Sequence, residues 1–218
     1  MSARVVGIQV GKPRTFSGLD EEGRSWRSAI DKRAVTGPVF AGPEGLEGDA
    51  QVDRRYHGGP DRALLAYAAG HYDGWRRELG RTQLPCGSFG ENLTVEGVDE
   101  SIACVGDRWA LGQAQLEISS PRMPCSKLAR HLGAPDAIER ALSTARTGFY
   151  LRVRRPGLVA PGPLLFLEHP FPALTIARAL RALLAPDEDP EGVAAFIACP
   201  ALSESLRAAL KRSARRAS

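Results

Sequence analysis

No apolar run in this 218-residue chain approaches the ~20 residues that a membrane-spanning helix needs. Its first residues, Met1-Ser2-Ala3-Arg4-Val5-Val6, pass straight into a strand-like run and lack the apolar core of a secretory leader. Both absences set the expectation of a cytoplasmic protein with no membrane partner. A Walker-type phosphate loop, a Gly-x-Gly-x-x-Gly turn opening a helix and a Gly-x-Ser-x-Gly elbow are also missing. The common signatures of nucleotide hydrolysis, dinucleotide binding and serine hydrolysis are thereby excluded. Four cysteines (Cys86, Cys104, Cys125 and Cys199) form no Cys-x-x-Cys pair and have no histidine at zinc-finger spacing. Neither a structural zinc site nor an iron–sulfur centre is expected, nor a disulfide framework in a chain without an export signal. Aromatic residues make up 6% and do not interleave with the basic ones, which argues against a nucleic-acid platform. Acid is absent after Glu204, where Arg207, Lys211, Arg212, Arg215 and Arg216 follow. That tail accounts for the formal net charge of +4 and reads as a frayed, solubilising helix end.

What is there is globular: 43% apolar and 25% charged residues, in a chain long enough for one sizeable core and a small appendage. Short apolar runs broken by Gly, Pro and Asp predict strands over 4–9, 34–40, 93–95, 102–105, 108–111, 116–119, 149–154 and 164–168. Such a series reads as mainly β, a barrel or a sandwich. A helix is expected over 70–79, where Tyr72, Trp75 and Leu79 share a face, and shorter ones over 126–132 and 135–142. After His169-Pro170-Phe171-Pro172 the pattern becomes helical. Thr175, Asp189 and Ser203 are placed to cap three helices. Their inward stripes are Ile176, Leu180, Leu183 and Leu184; Val193, Phe196 and Ile197; Leu206 and Leu210. A unit this small is expected to pack on the preceding domain.

Three polar segments stand out as chemistry. Cys125 closes Pro121-Arg122-Met123-Pro124-Cys125, where two prolines fix φ and remove donors, so the thiol falls on a rigid loop with a guanidinium three residues away. A nearby cation and the start of a helix both favour thiolate, the form needed by a nucleophile or a soft-metal ligand. A buried structural cysteine in a turn fits the same residues. Upstream, Gly48-Asp49-Ala50-Gln51-Val52-Asp53 leads into His57-Gly58-Gly59-Pro60-Asp61-Arg62, where glycines allow close backbone approach and His57, Asp61 and Arg62 offer hydrogen bonds to an anion. A surface turn is the plain alternative. Gly87-Ser88-Phe89-Gly90-Glu91-Asn92-Leu93 carries an amide that either reads a heterocycle edge or ties up its own loop. His71 and His169 have no surrounding pattern and read as structural.

Taken in order, these segments resemble the MOSC family, named after the C-terminal domain of molybdenum cofactor sulfurases. Within it they are most similar to the YiiM-like branch of 6-N-hydroxylaminopurine resistance proteins. The resemblance runs through Gly48-Asp49-x-Gln51-x-Asp53, His57-Gly58-Gly59-Pro60-Asp61-Arg62-Ala63, Phe89-Gly90-Glu91-Asn92-Leu93, Gly106-Asp107, Pro121-Arg122-x-Pro124-Cys125-x-Lys127-Leu128 and Thr147-Gly148-Phe149-Tyr150-Leu151-Arg152-Val153. It covers nearly the whole chain. It implies a closed, mostly antiparallel β-barrel over 1–170 with peripheral helices, and a three-alpha domain over 171–218. It also implies a molybdenum cofactor (Mo-molybdopterin) whose metal is bound by the Cys125 thiolate. Lys32, Arg62 and Arg122 would then form the basic pocket for its phosphate. Asn92 would read a polar edge, and Gly58 and Gly59 would permit close backbone contact. For this branch the implied reaction is two-electron reduction of N-hydroxylated bases and related N-oxygenated compounds, with His57 or Asp61 delivering a proton. Electrons would come from a separate reductase, a flavoprotein or ferredoxin-type donor. Two rivals stay open: a sulfur carrier using a Cys125 persulfide, and a non-catalytic module that stores or delivers the cofactor.

Overall fold

The computed structural model describes residues 2–17, 25–52 and 58–217. Its strands are β1 (Ala3–Val10), β2 (Arg14–Phe16), β3 (Trp26–Ser28), β4 (Arg33–Ala34), β5 (Val39–Gly42), β6 (Gly45–Leu46), β7 (Leu64–Ala68), β8 (Leu93–Glu96), β9 (Arg108–Leu111), β10 (Ala114–Pro121), β11 (Phe149–Arg155), β12 (Gly157–Val159) and β13 (Gly162–Glu168). The helices are α1 (His71–Leu79), α2 (Ser126–Leu132), α3 (Ala137–Ser143), α4 (Ile176–Leu184), α5 (Pro190–Ala198) and α6 (Glu204–Ala217). Seven strands close a barrel in the order β1-β13-β9-β10-β11-β7-β8, with β8 returning to β1. Every neighbouring pair is antiparallel except β7 and β8, which run parallel. β4 pairs antiparallel with the end of β1, while β12-β5-β6 and β2-β3 form two small sheets outside the ring.

Period-2 alternation builds the interior. Trp109 and Leu111, Leu116 and Ile118, Phe149 and Leu151 all point inward, and all are buried. β7 departs from this, because all five of its residues are buried. Its outer face is covered by a second apolar cluster, in which Tyr67 meets Tyr72, Trp75 and Phe89 and the buried face of α2. A strand covered on both sides loses its alternation, so Leu64-Leu65-Ala66-Tyr67-Ala68 carries no strand signature beyond an apolar run. Two other expectations change. The 34–40 strand is split at Gly37-Pro38 into β4 and β5. The 102–105 segment is turn rather than strand: the Asp107 carboxylate accepts from Cys104 N at 2.9 Å, and only a single bridge joins Cys104 to Thr175.

The three C-terminal helices begin at the expected caps. Thr175 Oγ1 accepts from Arg178 N at 3.2 Å, Asp189 Oδ1 from Gly192 N at 2.9 Å, and Ser203 Oγ from Leu206 N at 3.3 Å. Ile176, Val193, Phe196, Leu206 and Leu210 join the same continuous core as the barrel interior. Leu184, expected to face inward, is exposed at the end of α4. The helical unit is fixed to the barrel by polar contacts too: Arg152 of β11 donates to Ala201 O at 2.6 Å, and Ser203 N donates to Ser119 O at 3.0 Å.

Candidate functional site

β10 ends at Pro121 and leads through Arg122-Met123-Pro124 to Cys125, which is the extended N-cap residue of α2 and whose carbonyl accepts from Leu128 N at 2.9 Å. Facing it are Lys32 from the segment between β3 and β4, Ala50-Gln51-Val52, Arg62 from the 3-10 turn before β7, Asn92 at the entry to β8, and Tyr150 of β11. Together these residues line a cleft of about 640 Å³. Among the described residues, four cations (Lys32, Arg62, Arg122 and Lys127) and no carboxylate line it. Gly90, in the same wall, has φ +77°, and a Cβ there would come within 2.9 Å of Ile30 Cγ1, so only glycine leaves the wall undisturbed.

Asp49 organises one side of the cleft from behind. One carboxylate oxygen accepts from Gly11 N at 2.7 Å and from Lys32 Nζ; the other accepts from Asn92 Nδ2 at 2.8 Å. Asn92 also donates to Gln9 O at 3.2 Å and accepts from Leu65 N at 3.1 Å. Both amide donors are thus committed within the protein, so Asn92 shapes the cleft wall rather than presenting a donor to a ligand. The Lys32 side chain is 6% exposed, and burial pulls its pKa below the ordinary lysine value, with the neighbouring Asp49 opposing the shift.

Arg122 is 4% exposed. Its backbone N–H donates to Gly148 O at 2.9 Å, and its positive charge lies near the Tyr150 hydroxyl, opposing the rise that burial imposes on that phenol's pKa. The Tyr150 phenol brings one O–H donor to the cleft. Burial holds the Tyr150 pKa above the usual phenol value, keeping that proton in place. Arg122 Nη1 is buried with no hydrogen-bond partner among the described residues, a donor left for something else. Arg62 lies with its guanidinium carbon 5.6 Å from the Tyr150 ring centroid, and Nη2 donates to Ser205 Oγ of α6 at 2.7 Å.

The structure therefore brings Lys32, Arg62, Asn92, Arg122 and Cys125 around one space. Asp61 goes elsewhere: its Oδ1 accepts from Arg152 Nε at 2.6 Å and its Oδ2 from Glu204 N at 3.2 Å, so it ties β11 to the start of α6 and does not line the cleft. Gly58 and Gly59 do not line it either; Gly59, at φ +87° with open space where a Cβ would point, is required by the turn that carries Arg62. His57 and Asp53 lie outside the described residues. His71 and His169 each pair with a buried carboxylate at 2.6 Å, Glu100 and Asp107 respectively. Sequence reasoning missed Tyr150, Lys127 and the organising role of Asp49. Alternation in β11 puts Phe149 inward and hence Tyr150 outward, but that it faces the cysteine loop depends on its register opposite Ser120.

Comparison with known proteins agrees with this architecture. The MOSC domain model matches residues 53–164, and the model for the YiiM-like 3-alpha helix domain matches residues 174–212. The chain is 41% identical over 163 residues to the YflK protein of Bacillus subtilis (strain 168), covering 75% of this chain and 72% of that one. It is 38% identical over 162 residues to protein YiiM of Escherichia coli (strain K12), covering 73% and 70%. A protein of Gibberella moniliformis named "Reductase" is 36% identical over 162 residues, which span 71% of this chain but 29% of that longer one. The crystal structure of YiiM from Geobacillus stearothermophilus superposes with a TM-score of 0.81 at 33% identity, over 97% of this chain and 98% of that one. With both family models matched along the chain and relatives this similar over most of its length, the chain belongs to the MOSC domain family, in its YiiM-like branch.

Proposed function

We propose that this protein is a molybdenum-cofactor-dependent reductase of N-hydroxylated bases and related N-oxygenated compounds, with Cys125 as its ligand to the metal. The observation that carries this reading is the cleft itself: a cysteine set among four cations, with no carboxylate among the described lining residues. A buried, unpartnered Arg122 Nη1 has a cost that a bound anion relieves. A pterin carrying phosphate supplies such an acceptor, and thiolate sulfur suits a metal already held by sulfur, so the donor set fits the group. The name of the fungal relative supports redox chemistry.

The cofactor, when bound, supplies the two-electron redox chemistry. In the net reaction an N-hydroxylated substrate takes up two electrons and two protons, the N–O bond breaks, and an amine and water leave. Arg122, Arg62 and Lys127 hold the anionic part of the bound group, and Cys125 Sγ anchors the metal. Lys32 Nζ is the acid of the cleft, because burial makes its proton easier to release than that of an exposed lysine. The Tyr150 O–H, kept protonated by burial in the cleft wall, donates a hydrogen bond to the departing oxygen. Asp61 takes no part, being committed to Arg152 and Glu204 N. The sequence has neither a cysteine cluster nor a flavin or nicotinamide fingerprint, so electrons come from a separate flavoprotein or ferredoxin-type donor.

The test is turnover. Protein from a molybdate-supplied host, given dithionite-reduced dye, is expected to convert 6-N-hydroxylaminopurine to adenine. Absence of turnover by protein shown to carry molybdenum and pterin would leave a storage or delivery module instead.

A further inference from the structure

Beside the cationic cleft, a second groove of about 450 Å³ runs between the barrel and the helical unit. Met123 of the cysteine loop, Leu183 of α4, and Leu206 and Ala209 of α6 form its apolar walls. Arg62 and Tyr150 line both spaces, so the groove and the cleft meet at a partition made of these two side chains. The partition is held in place from the helical side, since Arg62 Nη2 donates to Ser205 Oγ at 2.7 Å.

The two compartments differ in charge. The cleft is lined by four cations, whereas among the described residues the groove has Arg62 as its one charged side chain. A cationic space selects an anion. A thioether, aliphatic walls and the flat face of a guanidinium instead suit a neutral aromatic ring with a few polar edges.

From this juxtaposition we infer that the groove is the subsite for the planar heteroaromatic body of the substrate, whose N–O end reaches past Arg62 and Tyr150 toward Cys125. The inference rests on the reductase reading for the substrate's class. It makes the three-helix domain a wall of the substrate site, with Met123, Leu206 and Ala209 as specificity-determining residues.

Adenine, the amine expected from 6-N-hydroxylaminopurine, is the probe. It is titrated by calorimetry into the full-length protein as purified with its cofactor, alongside Ala209→Phe and Met123→Trp. Met123 is 37% exposed and Ala209 is half-buried at the margin of the core, and both line the groove, so each larger side chain narrows it; an unchanged urea midpoint verifies that each variant keeps its fold. Adenine affinity is expected to fall by about tenfold or more in each variant, while pyrophosphate affinity, measured on cofactor-free samples of the same full-length proteins as a reading of the open cationic cleft, stays unchanged. Adenine that does not bind the wild type, or binds both variants as tightly, overturns the groove as a base subsite. So does a parallel loss of pyrophosphate binding, which would put both probes in the cleft. Turnover measured on the same preparation judges the reductase reading separately. An inactive wild type whose adenine binding is still lost in the variants would end that reading and keep the base subsite.

Discussion

Asn92 and Asp49, 43 positions apart in sequence, are joined by a 2.8 Å hydrogen bond from amide to carboxylate, and the same carboxylate holds Lys32 on its other oxygen. The Lys32 and Asp49 side chains are both nearly inaccessible. Removing one partner of a buried pair leaves an uncompensated charge, so Asp49→Ala is expected to lose about 3–5 kcal/mol of stability. Asn92→Ala strands Leu65 N and is expected to cost about 1–3 kcal/mol. Urea unfolding measures both. An Asp49→Ala midpoint equal to wild type would remove Asp49 from the organising role assigned to it.

Arg122 makes the opposite prediction for stability. Arg122→Met removes a buried N–H that lacks a partner, so the urea midpoint should stay level or rise. Pyrophosphate binding should weaken, by roughly 1.5–3 kcal/mol for the lost charged hydrogen bonds. Arg122→Lys keeps the charge but not the fork, and should recover part of that affinity at most. Affinity unchanged in Arg122→Met would show that the cleft does not use this guanidinium.

The lowered pKa of Lys32 sets two pH dependences of opposite sign. Between its folded value and the ordinary 10.5, the unfolded chain binds more protons than the folded one, so stability rises with pH across that window. Anion binding falls over the same window, because the cleft loses a positive charge earlier than an exposed lysine would allow. In Lys32→Met, the contribution of this residue to both slopes should vanish. Parallel slopes in variant and wild type, read by urea unfolding and pyrophosphate titration from pH 7 to 10, would contradict the assignment.

Cysteine alkylation should divide the four thiols. Cys104 is buried, and burial, with Asp107 nearby, pushes its pKa up to about 12; Cys199 is buried and also raised. Iodoacetamide at pH 8 should leave both intact in the folded protein while modifying exposed Cys86 and partly accessible Cys125. Peptide mass spectrometry reads the outcome. Bound cofactor should protect Cys125 and not Cys86.

How much of this was legible in the sequence depended on how far apart the partners lie. The caps at Thr175, Asp189 and Ser203 were readable because each bonds an N–H three residues on. The cysteine loop was readable because proline restricts its own neighbourhood. β7 was not, since α1 and α2 cover its outer face and erase the alternation. Asn92 was legible as a site residue but not in its role, which is set by Leu65, Gln9 and Asp49, 27, 83 and 43 positions away. Asp61 looked like a cleft residue because it adjoins Arg62; its side chain turns toward Arg152, 91 positions on. Tyr150 reaches the cleft only through the register of β10 against β11.

In the proposed reading, Cys125 anchors a molybdenum cofactor in the cationic cleft. Its most direct test is molybdenum and pterin analysis of wild type and Cys125→Ala, both purified from a molybdate-supplied host proven to make the cofactor. Wild-type protein is expected to retain molybdenum and pterin, and the variant to lose molybdenum while its fold is unchanged. Wild-type protein devoid of molybdenum from such a host would contradict it and point to a Cys125 persulfide carrier.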